Sequence, residues 1–417
     1  SLRRLDDDAL LQIYEELRPQ HGLQPLSLTC KWVRESVKPV LFRSCHQDAL
    51  CLDWELFVPR QLWPYIRYED LLFYGLWAQI DPPQDDPYHV SFPLRQVLSE
   101  MPQLTAVRIV RVLEAGVPWT ALVAALSHPQ LRTFDVTGSL YRRGRTHVPI
   151  FIAAPLTHYR QVMDDFRRSR YSLPDSVFLA VVLNQPQVQE SLESLQVPSE
   201  FAPIALIAER HWRRLKRLVL RGESWEDDRP VVDLFSQMPA LQELVLTLGH
   251  PAGTDLHWLC PPNWTGPLPW QELKTLSLTY PDPNDPVYTW LPHTLRHLVL
   301  RCWPRHYNFE TSETRPTVEG LGWDSPIQSS SAVLDILRRC QCSQLDSLEI
   351  EFIADDSDME LFRHISHAFP DLSTLTVYRY RPRHMVNVPV VEIGETLRPL
   401  RCLRYLSLYL DLFETPH

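Results

Sequence analysis

Glycine is scarce in this chain, with 12 residues in 417 against 37 prolines. No glycine-rich phosphate loop is spelled anywhere; EGLGW (319–323) is only a G-x-G inside a polar stretch. The G-x-S-x-G hydrolase elbow and the H-E-x-x-H zinc pattern are absent too. Apolar runs are short, FLAVVL (178–183) being among the longest, so no bilayer-spanning helix is expected. Lysine and arginine (41) are outnumbered by aspartate and glutamate (51), a net charge of −10 that lacks the basic footprint of a nucleic-acid binder. Cysteine is sparse and irregular: eight residues, with Cys340-Gln-Cys342 at the wrong spacing for a C-x-x-C metal or redox motif. Reduced, mostly buried thiols are expected. The chain opens SLRRLDDDALL with no positive region followed by an apolar run, so no signal peptide is visible. It lacks an initiator Met, which leaves room for residues upstream. The expected compartment is cytoplasmic, nuclear or both.

What the chain does contain is a phrase that recurs. MPALQELVLTL (238–248) has near-copies at MPQLTAVRIV (101–110), HPQLRTFDV (128–136) and FPDLSTLTV (369–377). Clear L-x-x-L-x-L stretches start at Leu215, Leu241, Leu273, Leu295, Leu345, Leu372 and Leu403; weaker ones start at Leu104, Leu131 and Leu192, and a doubtful one at Leu156. Successive starts fall 22 to 36 residues apart, save a step of 50 between Leu295 and Leu345. Such a period is the signature of a solenoid, and L-x-x-L-x-L is the strand of a leucine-rich repeat. Alternation in a strand turns Leu244 and Leu246 inward and Glu243, Val245 and Thr247 outward. Upstream stretches such as VVDLFSQM (231–238) and MELFRHISHAF (359–369) have the apolar spacing of a covering helix. Proline then stops that helix, because it lacks an N–H and pushes the preceding residue toward extended geometry. The usual repeat asparagine is replaced by Glu223, Gly249, Pro281 and Trp303, so irregular turns are expected.

Residues 5–45 follow a different pattern. LDDDALLQIYEEL places Leu10, Ile13, Tyr14 and Leu17 on one helical face, with aspartates at its positive end. Pro25 is expected to start a second helix carrying Leu26, Cys30, Val33 and Val37; Lys38-Pro39 should break it, and VLFRS should open a third. Three small helices bury little core alone and require a partner or the repeats. The run L-x-x-x-x-L-L-x-I-x-x-x-L, followed by LSLTCKWVRESVKPVLFRS, resembles an F-box, with Asp6 standing where the family pattern usually has proline. The resemblance covers about a tenth of the chain; with the repeats it extends to the divergent F-box/leucine-rich-repeat proteins of fungi. It implies a head that docks on the Skp adaptor of a cullin–RING (SCF-type) ubiquitin ligase through Leu5, Leu10, Ile13, Leu17, Leu26, Leu28 and Trp32. The competing reading of the head is an N-terminal cap for the solenoid.

The expected architecture is therefore an α/β leucine-rich-repeat solenoid, parallel strands inside and helices outside, preceded by a three-helix F-box-like head. Residues 1–48 form the head, 49–92 an aromatic-rich connector and 93–417 the irregular repeats. Binding, not catalysis, is the expected activity, with no cofactor, metal, nucleic acid or membrane involved. Arg217, Arg221, His297 and Arg301 flank a hydroxyl-rich strand face suited to an acidic or phosphorylated segment of an unknown protein target; a merely solvated face is the alternative. Three insertions, 249–272, 280–294 and 302–331, carry tryptophans, among them Trp264 and Trp303, that either anchor a partner or fold back over the repeats. His364 and His367 read as a solvated or capping pair. A repeat scaffold with no ubiquitin role is the second functional reading, and a small-ligand receptor under the tryptophan loops the third.

Overall fold

The computed structural model describes residues 5–18, 22–48, 58–73, 91–111, 119–138, 152–162, 173–254, 257–302, 322–324, 326–382 and 387–412. The chain divides into two compact units, Ser1–Gln161 and Val162–His417.

The first unit opens with three helices, α1 (Asp7–Leu17), α2 (Leu23–Ser27) and α3 (Lys31–Leu41). Asp6 caps α1, its carboxylate accepting from the Ala9 N–H at 2.7 Å, so the residue that departs from the F-box pattern serves as a helix start. Leu10, Tyr14, Leu23, Val37 and Val40 form a small core, with Ile13, Leu17, Leu26, Trp32 and Leu41 packed against it. The expected boundaries of the second and third helices need correction. The break falls at Thr29-Cys30, and α3 runs through Pro39. Proline is tolerated there because it lies in the last turn, where only one backbone bond is forfeited and Phe42 N still reaches Lys38 O at 3.0 Å.

The sheet begins earlier than expected. Strand β1 (Ser44–Asp48) closes the head segment and β2 (Tyr68–Phe73) lies inside the expected connector; both pair in parallel, and β2 passes the ladder to β3 (Ala106–Arg111) and on to β4 (Thr133–Thr137). The strand order of this unit ends with β5 (His158–Val162), from the doubtful LTHYRQ stretch. The aromatic composition of 49–92 concealed β2 because YEDLLF has no L-x-x-L-x-L spelling. Helices α4 (Ser91–Ser99) and α5 (Trp119–Leu126) precede β3 and β4 and pack on each other.

In the second unit, β6 (Ser194–Pro198), β7 (Arg217–Glu223), β8 (Glu243–Pro251), β9 (Thr275–Thr279), β10 (His297–Arg301), β12 (Ser347–Ile353), β13 (Thr374–Tyr380) and β14 (Tyr405–Leu412) lie in chain order, each parallel to the next. Among the described residues of this unit the one antiparallel piece is β11 (Trp323–Asp324), on the end of β8. Helices α6 (Leu173–Leu183), α7 (Pro186–Ser191), α8 (Ile204–Glu209), α9 (Val231–Leu234), α10 (Ser330–Arg339), α11 (Asp358–Ala368) and α12 (Val390–Leu397) occupy the connections. This is a repeat-like α/β fold on a long open parallel sheet.

Two hydrogen-bond motifs explain the recurring phrase. In most of the stretches the first leucine donates to the carbonyl three residues back, as Leu241 does to Met238, Leu273 to Trp270, Leu345 to Cys342 and Leu372 to Phe369; Leu192 instead reaches four back, to Val188. This turn closes the corner after the helix stop. The two residues before the second leucine then share one carbonyl in the preceding repeat: Gln242 and Glu243 both donate to Lys216 O, and Lys274 and Thr275 both donate to Gln242 O. That ladder keeps the strand entries regular without the usual asparagine. In register behind it, Leu218, Leu244, Leu276, Leu298, Leu348 and Leu375 are each fully buried. Each such leucine contributes roughly 2 kcal/mol of transfer free energy.

Candidate functional site

The face of the sheet opposite these leucines holds the expected target residues, and the register aligns them as the alternation requires. Arg217 stands beside Glu243, Arg221 beside Thr247, and Arg301 beside Thr279. Their charge state differs from the expectation. Arg217 is ion-paired with Glu243 at 2.9 Å and Arg301 with Glu349 at 2.8 Å, each across one strand step. Two cations expected to meet an acidic segment are thus neutralised within the sheet, each by a glutamate on the neighbouring strand. His297 is exposed on the same face.

The face is also not open throughout. Val245 and Thr247, expected to point to solvent, are buried, as is Val219 on β7, so β7 and β8 are covered on both sides, as central parallel strands commonly are. The open portion runs from β9 to β14. Ser277, Thr279, Val299, Thr376 and Tyr378 are half-buried there, and Tyr405 and Tyr409 are exposed. Tyr378 and Tyr409 pair in register and stack with centroids 4.7 Å apart and planes 3° from parallel. This surface is neutral, rich in hydroxyls and aromatic. Stacking and hydrogen bonding are the contacts that such side chains can offer. Tyr378 and Tyr409 went unnoticed in the sequence because each follows its repeat phrase by one position; extending the alternation past LSTLTV and LRYLSL would have placed them, and Tyr405 lies within LRYLSL itself.

The tryptophan insertions fold back in part. Trp270 is buried, its indole N–H donating to Phe235 O at 2.8 Å. Trp323 is buried against Gly249, where an added Cβ would lie 2.5 Å from the indole ring. Trp264 is half-buried; Trp303 lies outside the described residues. A cavity of about 40 Å³ sits beside these loops, lined by His250, His257, Tyr280 and Gly249 among others. It admits water rather than a drug-sized ligand. Next to it the Asp285 carboxylate accepts from the backbone N–H groups of Leu259, Cys260 and Val287, at 2.6, 3.3 and 2.9 Å. Burial nevertheless pushes this carboxyl up to about 6.

In the head, the expected adaptor residues split by position. Leu28 is 70% exposed and Leu5 40%, Ile13, Leu17, Leu26 and Trp32 are half-buried, and Leu10 is buried in the small core. Leu10 therefore holds the head together rather than presenting a contact. Leu11, not singled out in the sequence, is exposed on the same helix.

Among the described residues no group of three or more His, Cys, Asp and Glu could hold a metal, and no helix is long and apolar enough to cross a membrane. His367 bonds back to Arg363 O within α11, and His364 meets Phe369 edge-on. Cys260, Cys302, Cys340 and Cys342 are buried thiols, Cys30 and Cys402 exposed ones; burial raises Cys342 to about 11. Cys51 lies outside the described residues.

Compared with models of known protein families, the chain matches none, and no curated protein matches it. The fold defines it as an α/β protein with a repeat-like, open parallel sheet.

Proposed function

We propose that this chain is a substrate-recognition subunit of an SCF-type cullin–RING ubiquitin ligase, built as an F-box-like head followed by an irregular leucine-rich-repeat solenoid. The observation that carries the reading is the head: three helices close on a core of five residues and leave Leu28, Leu11 and Leu5 exposed. So small a core gains from covering that apolar surface, and the Skp adaptor is the partner the F-box resemblance implies. The repeats hold the protein target on the neutral face around Ser277, Thr376 and Tyr378. Ubiquitin transfer belongs to other subunits, and the complex works in the cytoplasm, the nucleus or both.

One observation favours the cap reading of the head. Arg43 pairs with Glu15, and Arg18 donates to Ser44 Oγ, tying α1 to the start of β1. Affinity purification separates the two. The tagged chain should recover the Skp adaptor and cullin from cell extract, and Leu28→Asp should lose both without lowering the melting temperature, since Leu28 contributes little to the core. Recovery of neither by the wild type, or of both by the variant, would leave the head a cap.

A further inference from the structure

The sheet of the second unit has one edge on which, among the described residues, no strand pairs: the outer side of β14. Natural edges are guarded by lysine, proline, bulges or inward charges. Such guards stand only at the far end of β14, where Asp411 and a register shift beyond Tyr409 occur; along YLSLYL (405–410) there is neither a charge nor a proline. The core is open there as well. Leu406 continues the ladder of leucines that are fully buried in the preceding strands, yet it is 46% exposed. The helix that precedes this strand, α12, leaves Val390 and Val391 exposed.

The sequence of this edge reads the same in both directions about one residue: Tyr405-Leu406-Ser407-Leu408-Tyr409. Antiparallel strands bring directly opposed residues onto the same face, so a two-fold axis through Ser407 and perpendicular to the sheet sets Tyr405 against Tyr409, Leu406 against Leu408 and Ser407 against itself. Each pairing joins like with like. The leucines meet on the core side, where the exposed ladder position is filled. The tyrosines meet on the other face and extend the Tyr378–Tyr409 stack by one ring, aromatic cross-strand pairs being among the favourable ones.

From this self-complementarity we infer that the occupant of the edge is a second copy of this chain, forming a two-fold dimer through antiparallel β14–β14 pairing centred on Ser407. One continuous sheet then crosses the axis, and a ligase subunit so joined would present two target faces side by side.

The test is oligomeric state with variants at the axis. Sedimentation of the full chain should show a concentration-dependent dimer at micromolar protein. Ser407→Lys sets two ammonium groups opposite each other at an exposed position and should yield a monomer that melts as the wild type does at concentrations too low for dimer. Ser407→Cys places two thiols at paired Cα atoms about 4.5–5.5 Å apart, inside the disulfide range, so mild oxidation should crosslink it. Wild type is the control, because Cys402 lies five residues from Ser407 and its two copies would stand roughly 30 Å apart. A wild type that stays monomeric, a Ser407→Lys dimer as tight as wild type, or a Ser407→Cys variant that crosslinks no faster than wild type would each overturn the proposal.

Discussion

At the scale of single residues, position within the repeat decides what a side chain is worth. Leu276 is fully buried, while Ser277, the next residue, is half-buried on the opposite face. Leu276→Ala should cost about 2–5 kcal/mol, and Ser277→Ala no more than about 0.5 kcal/mol; chemical denaturation of the two variants checks the strand phase. Gly249 is a different case, fixed by close approach. Its missing side chain is where the Trp323 indole sits, so Gly249→Ala should displace the ring and cost about 1–3 kcal/mol. The Ala252 N–H, which donates to Gly322 O at 3.1 Å, should then exchange faster. The in-and-out sense of the leucines was legible in the sequence, because alternation needs only two positions to be read. The burial of Val245 and Thr247 was not, since it depends on what covers the other face of β8.

At the scale of elements, the repeat phrase was the most informative signal: every stretch that carried it, including the doubtful one at Leu156, became a strand. The helices were harder to read. Pro39 suggested a break, yet α3 continues through it because the last turn has few bonds to lose. In the insertion 280–294 a short 3-10 turn (Pro286–Thr289) replaces the repeat helix, with Asp285 as its N-cap. That buried carboxyl also clasps Leu259 and Cys260. Burial, only partly offset by the three N–H donors, raises it to about 6 from the usual 3.8. Its folded form therefore keeps a proton that the unfolded chain releases. The stability it contributes is full below about pH 4 and drains as pH rises to about 6, by about 2–3 kcal/mol. Asp285→Asn removes this titration, so the stability difference between wild type and variant should shift in the variant's favour over that interval. Denaturation curves at several pH values test it, and a difference independent of pH would refute the assignment.

At the scale of the whole molecule, the α/β class and parallel repeat pattern could be read from the spacing of leucines and prolines, because each unit buries its face only by stacking on the next. The candidate site could be read only in part. Arg217 and Arg301 were placed on the right face, but their charge is answered by Glu243 and Glu349, whose partnership appears only once register is known. The tyrosines of β13 and β14 became visible as a group only when the strands were aligned. The head was legible as three helices, while the division of its leucines into buried Leu10 and exposed Leu28 required the packed core. The proposed adaptor contact rests on that division. Its most direct measurement is calorimetric titration of the purified chain with the purified Skp adaptor. The account predicts saturable binding with one adaptor per chain, abolished by Leu28→Asp at unchanged fold. Absence of binding by the wild-type chain, or equal affinity in the Leu28→Asp variant, would contradict it.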